Sequence, residues 1–315
     1  MNLSIRFSLV TGLLILSALT VSTALAEIPE ITATIDGTVD VGYGAAIAVQ
    51  NANTSFGDAN SGILDTAGGE LDALYAAHDA TNLYILSTGN VEDNWNGYYI
   101  FIDNIAETGG ESGTFSGISG GDGIFQSAGN GIGGMTFPSI MNVDLIVALK
   151  FGDSGGSDPL LLDYRLQVAN LVTGTVALDS GSPDQVTDDA PTDTVMDDAY
   201  SGYTFALDQS NVLGVEGTGI GFPATGTDPA SVTTGMEFAI PLADIPGTID
   251  DSTVLYVFTA YVSADGNFFS NQTLPPVPTP QDHHGTDPDY TALGLTPTTL
   301  QFSPPTAVSE WSLYN

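Results

Sequence analysis

The residues best suited to recognise a ligand lie in a short polar stretch, residues 89–97, where a tryptophan stands among carboxylates. A tryptophan ring offers a large apolar face with one hydrogen-bond donor, and carboxylates accept hydrogen bonds. Because its neighbours are polar, Trp95 is the aromatic residue most expected to be exposed. The sequence therefore predicts a ligand-binding surface that contains Glu92, Asp93, Trp95 and Tyr98.

Further carboxylates cluster in predicted loops and could bind a cation. The candidate ligands are Asp36 and Asp40, beside a glycine turn, and Asp103, Asn104 and Glu107, after a predicted strand. Calcium takes roughly six to eight oxygen ligands, and none of these groups has the spacing of an EF-hand. Ordinary solvated acidic loops are the alternative. Our hypothesis is that at least one calcium ion stabilises the fold.

Motifs of known catalytic sites are missing from the sequence. It contains no nucleophile elbow, HExxH motif or Ser/His/Asp spacing, and it has no cysteine for thiol chemistry. Pairs of carboxylates suit glycoside hydrolysis, but with 38 acidic residues such pairs occur by chance. For the adjacent His283 and His284 we favour a polar surface loop over a metal site, because neighbours on an extended chain point apart. We expect a protein that is not an enzyme, with a glycoside-active enzyme as the less favoured alternative.

The charge balance excludes several classes of partner. The 315 residues include 38 acidic and only three basic side chains, giving a formal net charge of −35. Such a chain repels nucleic acid and anionic membranes. It suits a surrounding medium rich in salt or calcium, where cations screen the carboxylates. Without cysteine there are no disulfides, so stability must come from a hydrophobic core, to which bound ions could add.

The N-terminal residues 1–26 have the pattern of a secretory signal peptide. Arg6 provides the positive charge, residues 9–21 are apolar, and Ala24-Leu25-Ala26 matches a cleavage site. We expect secretion, to the extracellular space or cell surface. No later segment is long and apolar enough to predict an integral membrane protein. Residues 27–302 then form a single domain, and residues 303–315 a C-terminal tail that could add a strand.

The elements that must position these residues are β-strands. Apolar and polar residues alternate with period two on both sides of the polar stretch, in residues 83–88 and 98–103. Both faces of these strands are apolar, which predicts central strands of a two-layer structure. Similar patterns occur at residues 71–77, 141–151, 160–168, 171–178, 235–240 and 253–262. With no long helix expected, the pattern predicts an all-β sandwich with long Gly/Asp-rich loops. For the glycine-rich residues 109–134 we favour a floppy loop over a set of tight turns or a cation-binding loop.

Several of these segments, in this order, resemble the secreted DOMON-like and family 9 carbohydrate-binding-module superfamily. The matching segments are Ile35-Asp36-Gly37, Asn82-Leu83-Tyr84-Ile85, Ile100-Phe101-Ile102-Asp103, the stretch 235–242, the stretch 270–275, Asp289-Tyr290 and Gln301-Phe302. The resemblance implies a jelly-roll-like antiparallel β-sandwich that binds sugars or, in some members, haem. No haem pattern surrounds the histidines, so polysaccharide is the implied ligand.

Together these observations predict a secreted, non-catalytic protein of a cell surface or extracellular matrix with a carbohydrate-binding-like β-sandwich. The alternative is a self-assembling, calcium-stabilised subunit of a fibre or sheath, whose partner is another copy of the chain. Trp311, Leu313 and Tyr314 in the tail favour this alternative, because apolar side chains at a chain end gain stability only if they are buried.

Overall fold

The computed structural model describes residues 26–56, 69–92, 94–127, 129–153, 162–181, 196–197, 202–211, 213–216, 225–226 and 228–302. The predictions for Asp93, for the signal peptide up to residue 25 and for the tail from residue 303 lie outside the described residues.

The described residues form sixteen β-strands. They are β1 (Ala26–Ile28), β2 (Ala48–Val49), β3 (Glu70–His78), β4 (Asn82–Asn90), β5 (Asn94–Asn104), β6 (Leu145–Asp153), β7 (Leu162–Asn170), β8 (Thr175–Gly181), β9 (Met196–Asp197), β10 (Thr204–Leu207), β11 (Val215–Glu216), β12 (Thr225–Gly226), β13 (Gly235–Pro241), β14 (Val254–Val262), β15 (Phe269–Leu274) and β16 (Thr298–Phe302). The helices found in this part of the chain are three 3₁₀ turns, at Val41–Tyr43, Pro229–Ser231 and Leu242–Asp244. None of the described helices has the length and apolar character needed to cross a membrane.

The strands form two large sheets. The first sheet has the order β1-β16-β14-β5-β6-β7-β8, with β15 also paired to β14, and the second has the order β2-β3-β4-β13-β10-β9. Strands β1 and β16 run parallel, whereas the other pairs within these sheets are antiparallel. The prediction of an all-β sandwich is therefore confirmed, with one parallel pair at a sheet edge.

The main hydrophobic core lies between the two sheets. Alternate residues of the central strands meet there: Ile100 and Ile102 of β5 share it with Ile85 of β4 and Phe238 of β13. Strand β4 is central in the second sheet and β5 in the first. The expectation that these neighbouring segments are central strands of two layers is confirmed, and the short connection between them joins the layers.

Both outer faces of the sandwich are also covered, which explains why the strands are apolar on both sides. Residues 105–143 cross the outer face of the first sheet and bury a second core that includes Phe115, Phe125 and Phe137. On the second sheet, Tyr43 and neighbouring N-terminal residues pack against Tyr75 and Tyr84.

The glycine-rich segment is therefore packed, and the prediction of a floppy loop was wrong. Its glycines alternate with aromatic and aliphatic residues that pack on the sheet, among them Ile124 and Ile132. Gly117 has a φ of +85°, and a Cβ there would lie 2.5 Å from the backbone nitrogen of Ser127. In this segment glycine permits tight turns and close backbone contact.

Candidate functional site

Trp95 occupies a β-bulge at the start of β5. The register between β5 and β6 shifts between Asn94 and Gly97, and Trp95 has a φ of +70°, which is unusual for a residue with a side chain. Its indole lies against Gly152 of β6, where any Cβ would overlap the ring. The guanidinium carbon of Arg165 is 4.7 Å from the ring centroid. The ring is thus fixed by two contacts and is only half-buried.

Arg165 stands next to the other basic residue of the sandwich, Lys150. The register of β6 and β7 pairs the two residues directly, and Asp122 from the covering segment bonds to both. The Oδ2 atom of Asp122 is 3.3 Å from Lys150 Nζ and 3.1 Å from Arg165 Nη1, and Gln167 Nε2 donates to its Oδ1 at 2.7 Å. Lys150 Nζ also donates to the carbonyl oxygen of Ala264 at 2.5 Å.

The electrostatics of this group follow from its burial. Burial alone would raise the pKa of Asp122, but Lys150, Gln167 and Arg165 outweigh it, and the pKa lies below its usual range. Burial lowers the pKa of Lys150, and Asp122 partly restores it. Only about 5% of the Lys150 side chain is exposed, whereas 42% of the Arg165 side chain is exposed. Arg165 is therefore the cation that can contact a ligand from solvent.

These residues line a polar cleft of about 370 Å³, which we call the basic cleft. Its polar walls are Asp122, Asn130, Lys150, Arg165, Asp265 and Asn267. Trp95 lies beside the cleft through its contact with Arg165. The walls combine donors that cannot accept, acceptors that cannot donate, and amides that do both. Such a lining can bond a ligand that carries hydroxyl groups at several positions.

Two of the other predicted ligand-binding residues, Glu92 and Tyr98, lie deeper in the protein than Trp95. Glu92 is buried; its carboxylate accepts a hydrogen bond from the side chain of Asn96. The side-chain oxygen of Asn96 accepts from the backbone of Ala264, at the wall of the cleft. Tyr98 is fully buried between the sheets, 2.5 Å from Ser87 Oγ and stacked on Phe238. Tyr98 is thus a core residue, because alternation along β5 turns it inward.

The predicted metal ligands fall into two separate groups. Asp36 and Asp40 belong to the N-terminal segment on the outer side of the second sheet, where each accepts a backbone hydrogen bond, from Thr38 and Thr34 respectively. The group of Asp103, Asn104 and Glu107 lies at the end of β5 in the first sheet. The two groups cannot share one ion.

The three side chains of the second group have different hydrogen-bond partners. Asn104 donates to the carbonyl oxygen of Pro246 at 2.8 Å, and Glu107 accepts from the backbone of Thr108 and Gly109. Asp103 is buried and accepts from the backbone of Asn142 at 2.9 Å. Within the described residues, no three histidine, aspartate or glutamate side chains are grouped so that they could hold a metal ion.

A buried glutamate that the sequence analysis did not single out, Glu237 of β13, fixes the N-terminal segment to the second sheet. It is fully buried and accepts from the backbone of Asp36 and Gly37, both at 3.0 Å, and from the hydroxyl of Tyr43 at 2.6 Å. Burial raises its pKa to about 7 despite these donors. A glutamate on an otherwise apolar strand is the sequence feature that could have identified Glu237.

The histidine pair differs from the expected polar surface loop. His284 is buried edge-on against Tyr290, with ring centroids 5.5 Å apart, and burial lowers its pKa to about 4. His283 packs against Phe56 and Phe268. Nearby aromatic rings, distant in sequence, make these histidines packing residues.

Comparison of the chain with protein-family models, with curated proteins and with solved structures found no match. The functional assignment therefore depends on the residues of the basic cleft themselves.

Proposed function

We propose that the protein is secreted and non-catalytic, and that it binds polysaccharide in the basic cleft at a cell surface or in an extracellular matrix. One observation carries the proposal. Of the three basic residues in a chain with net charge −35, Lys150 and Arg165 meet at one polar cleft, beside the half-buried Trp95.

The chemistry of the cleft favours a sugar. A sugar ring has apolar C–H faces that stack on an aromatic ring and hydroxyl groups that both donate and accept hydrogen bonds. The part of the Trp95 ring that Gly152 and Arg165 leave exposed can provide the first kind of contact. Arg165, Asn130 and Asn267 can provide the second. A volume of about 370 Å³ is near the lower end of the range for small-molecule sites, roughly 300–1,000 Å³.

The lowered pKa of Asp122 and the occupation of its carboxylate by other side chains support a non-catalytic role. A general acid in glycoside hydrolysis needs a raised pKa so that it can hold a proton near neutral pH. The pKa of Asp122 is instead lowered, and its carboxylate is occupied by Lys150, Arg165 and Gln167. Its part in the cleft is to orient the two cations.

The test is a glycan array followed by calorimetry on the wild-type protein and on Trp95→Ala. We expect binding to at least one polysaccharide, weakened in the variant by about 1–3 kcal/mol if stacking on a sugar resembles stacking on a base. Trp311→Ala, at the other tryptophan of the chain, is the matched control and should bind like the wild type. Absence of binding to every polysaccharide would contradict the proposal.

A self-assembling structural subunit is the second candidate, and one observation favours it. Strand β8 pairs with β7 on one side and with no other described strand on its other side, and Leu178 in β8 is 39% exposed. Open edges of this kind accept an added strand from another molecule. Sedimentation of the wild type and of Leu178→Lys distinguishes the candidates: polymers that the lysine abolishes would favour the structural role.

A further inference from the structure

We propose that Asp103 and Asp144, which we call the acidic pair, bind one calcium ion at the end of the β5–β6 strand pair. This site is independent of the basic cleft. Asp144 precedes β6 and was not among the ligands suggested by the sequence.

The two aspartates meet because β5 and β6 are neighbours. Their register pairs Ile102 with Leu145, and the backbone N–H of Asp144 donates to the carbonyl oxygen of Ile102 at 2.9 Å. The carboxylates are held by crossed hydrogen bonds. Asp144 Oδ2 accepts from the backbone N–H of Asn104 at 2.7 Å, and Asp103 Oδ2 accepts from that of Asn142 at 2.9 Å. The backbone thus brings two negative charges to one place.

Each carboxylate keeps one oxygen without a hydrogen-bond partner. Asp103 is 2% exposed and Asp144 is fully buried, and the Oδ1 atom of each has no partner among the described residues. A buried acceptor without a donor is costly, and two carboxylates at one site repel each other. A bound cation removes both penalties at once.

The surroundings offer further oxygen ligands and indicate which cation fits. Asp144 Oδ1 and the backbone carbonyl oxygens of Asn142 and Val143 all lie 2.5–2.6 Å from the point where a Cβ on Gly110 would stand. Only glycine can stand this close to the three oxygens, of which that of Val143 also accepts from the backbone N–H of Glu111 at 2.9 Å. A mixture of carboxylate and carbonyl oxygens, completed by water, is the ligand set of calcium rather than of zinc or copper.

A proton shared by the two carboxylates is the alternative to a bound calcium ion. Burial raises the pKa of Asp103 to about 6, and burial together with Asp103 and Glu107 raises that of Asp144 to about 7. A proton would relieve the repulsion without any ion, so the experiment must separate the two.

The experiment counts bound calcium by calorimetry at pH 8 and measures the melting temperature in chelator, in calcium chloride and in sodium chloride of equal ionic strength. The variants are Asp144→Asn and Asp103→Asn, with Asp251→Asn in an exposed turn as the matched control. For the wild type and the control we expect a rise in melting temperature that sodium does not reproduce. In Asp144→Asn the number of bound ions should fall by one and the calcium-specific rise should be lost. In chelator this variant should melt above the wild type, because one of the repelling charges is gone.

Three results would overturn the site. They are equal effects of sodium and calcium on the wild type, an unchanged ion count in both asparagine variants, or no calcium bound by the wild type. The last result needs no variant, so the test stands even if a substituted chain fails to fold. A wild type that is stabilised only by lowering the pH, with no bound calcium, would identify the shared proton.

Discussion

The basic cleft lies along β6 and the acidic pair lies at the start of that strand, and the buried carboxylates of the two sites have opposite electrostatic surroundings. Lys150 is six residues beyond Asp144, a separation on the order of 20 Å in an extended strand. At the cleft, Asp122 has two cations and the Gln167 amide. At the acidic pair, two carboxylates have backbone donors only, and each keeps an oxygen without a partner.

The difference shows how a chain with three basic residues distributes them. Both cations of the sandwich contact Asp122 in a cleft open to solvent, and Asp265 in the wall of that cleft is a second carboxylate, so the charges there balance. The acidic pair receives none. We infer that Arg165, the exposed cation of the balanced cleft, serves ligand binding, and that the excess negative charge at the acidic pair is balanced by an ion from solution.

The largest loss of stability should come from removing the Asp122 carboxylate from the cleft. Asp122→Ala leaves Lys150 buried without its carboxylate, and we expect a loss of about 3–5 kcal/mol in the free energy of unfolding, measured with denaturant. Asp265→Ala, at an exposed position on the same cleft, should lose little. A loss below about 1 kcal/mol for Asp122→Ala would mean that the carbonyl of Ala264 alone satisfies Lys150.

Glu237 provides an intermediate case, a buried carboxylate with neutral donors only. Its pKa is raised to about 7 in the folded protein, so protonation favours folding. Its stabilising contribution is complete below the unfolded pKa, about 4.5, and is lost as the pH rises through 7. Between pH 4.5 and 8 the unfolding free energy of the wild type should therefore fall by an amount on the order of 3 kcal/mol. Glu237→Gln should not show this fall.

The control for this prediction is the same pH series on Asp251→Asn, whose carboxyl group is exposed. Identical pH profiles for the wild type and Glu237→Gln would contradict the assignment, and would mean that Tyr43 and the backbone donors hold Glu237 ionised throughout.

Without calcium, the acidic pair should show strongly non-additive substitutions. At pH 8, Asp103→Asn and Asp144→Asn each remove the burial cost of one charge and the repulsion between the two. Because the repulsion can be removed only once, the gain of the double variant should fall short of the sum of the single gains by roughly 1 kcal/mol. Denaturant unfolding in chelator measures all three. Additive gains would mean that the two carboxylates do not interact.

The smallest effect on stability is expected at Arg165. Arg165→Lys keeps the charge but loses the planar group that lies over Trp95, a contact worth about 0.5–1 kcal/mol where it is partly exposed. The unfolding free energy should change by no more than this, while affinity for polysaccharide falls. A variant that binds as well as the wild type would exclude Arg165 from the ligand contacts.

The sequence predicted the strands well because their alternation is local. The apolar run at residues 253–262 became β14, and the patterns at residues 160–168 and 171–178 correspond to the antiparallel neighbours β7 and β8. The alternation of residue types does not show which segments cover the outer faces of the two sheets. Tyr98 and Tyr99 are both fully buried, on opposite sides of β5, because residues 105–143 cover one of them.

The sites were harder to predict because they join residues far apart in the chain. Asp103 was proposed as a metal ligand with its sequence neighbours Asn104 and Glu107, but the carboxylate whose pKa it raises is that of Asp144, which only the register of β5 and β6 brings near it. Likewise, Trp95 was identified from its polar neighbours, whereas strand pairing brings Arg165 to it and the covering segment brings Asp122 to Arg165.

Tryptophan fluorescence tests the central claim, ligand binding beside Trp95, most directly. With Trp311→Phe as background, Trp95 is the remaining tryptophan of the chain, and its emission reports on the edge of the basic cleft. We predict a saturable change in intensity or wavelength on titration with the polysaccharide that the protein binds. The double variant that combines Trp311→Phe with Arg165→Ala should show no change. Polysaccharide binding detected by calorimetry that leaves the emission of Trp95 unchanged would contradict the account.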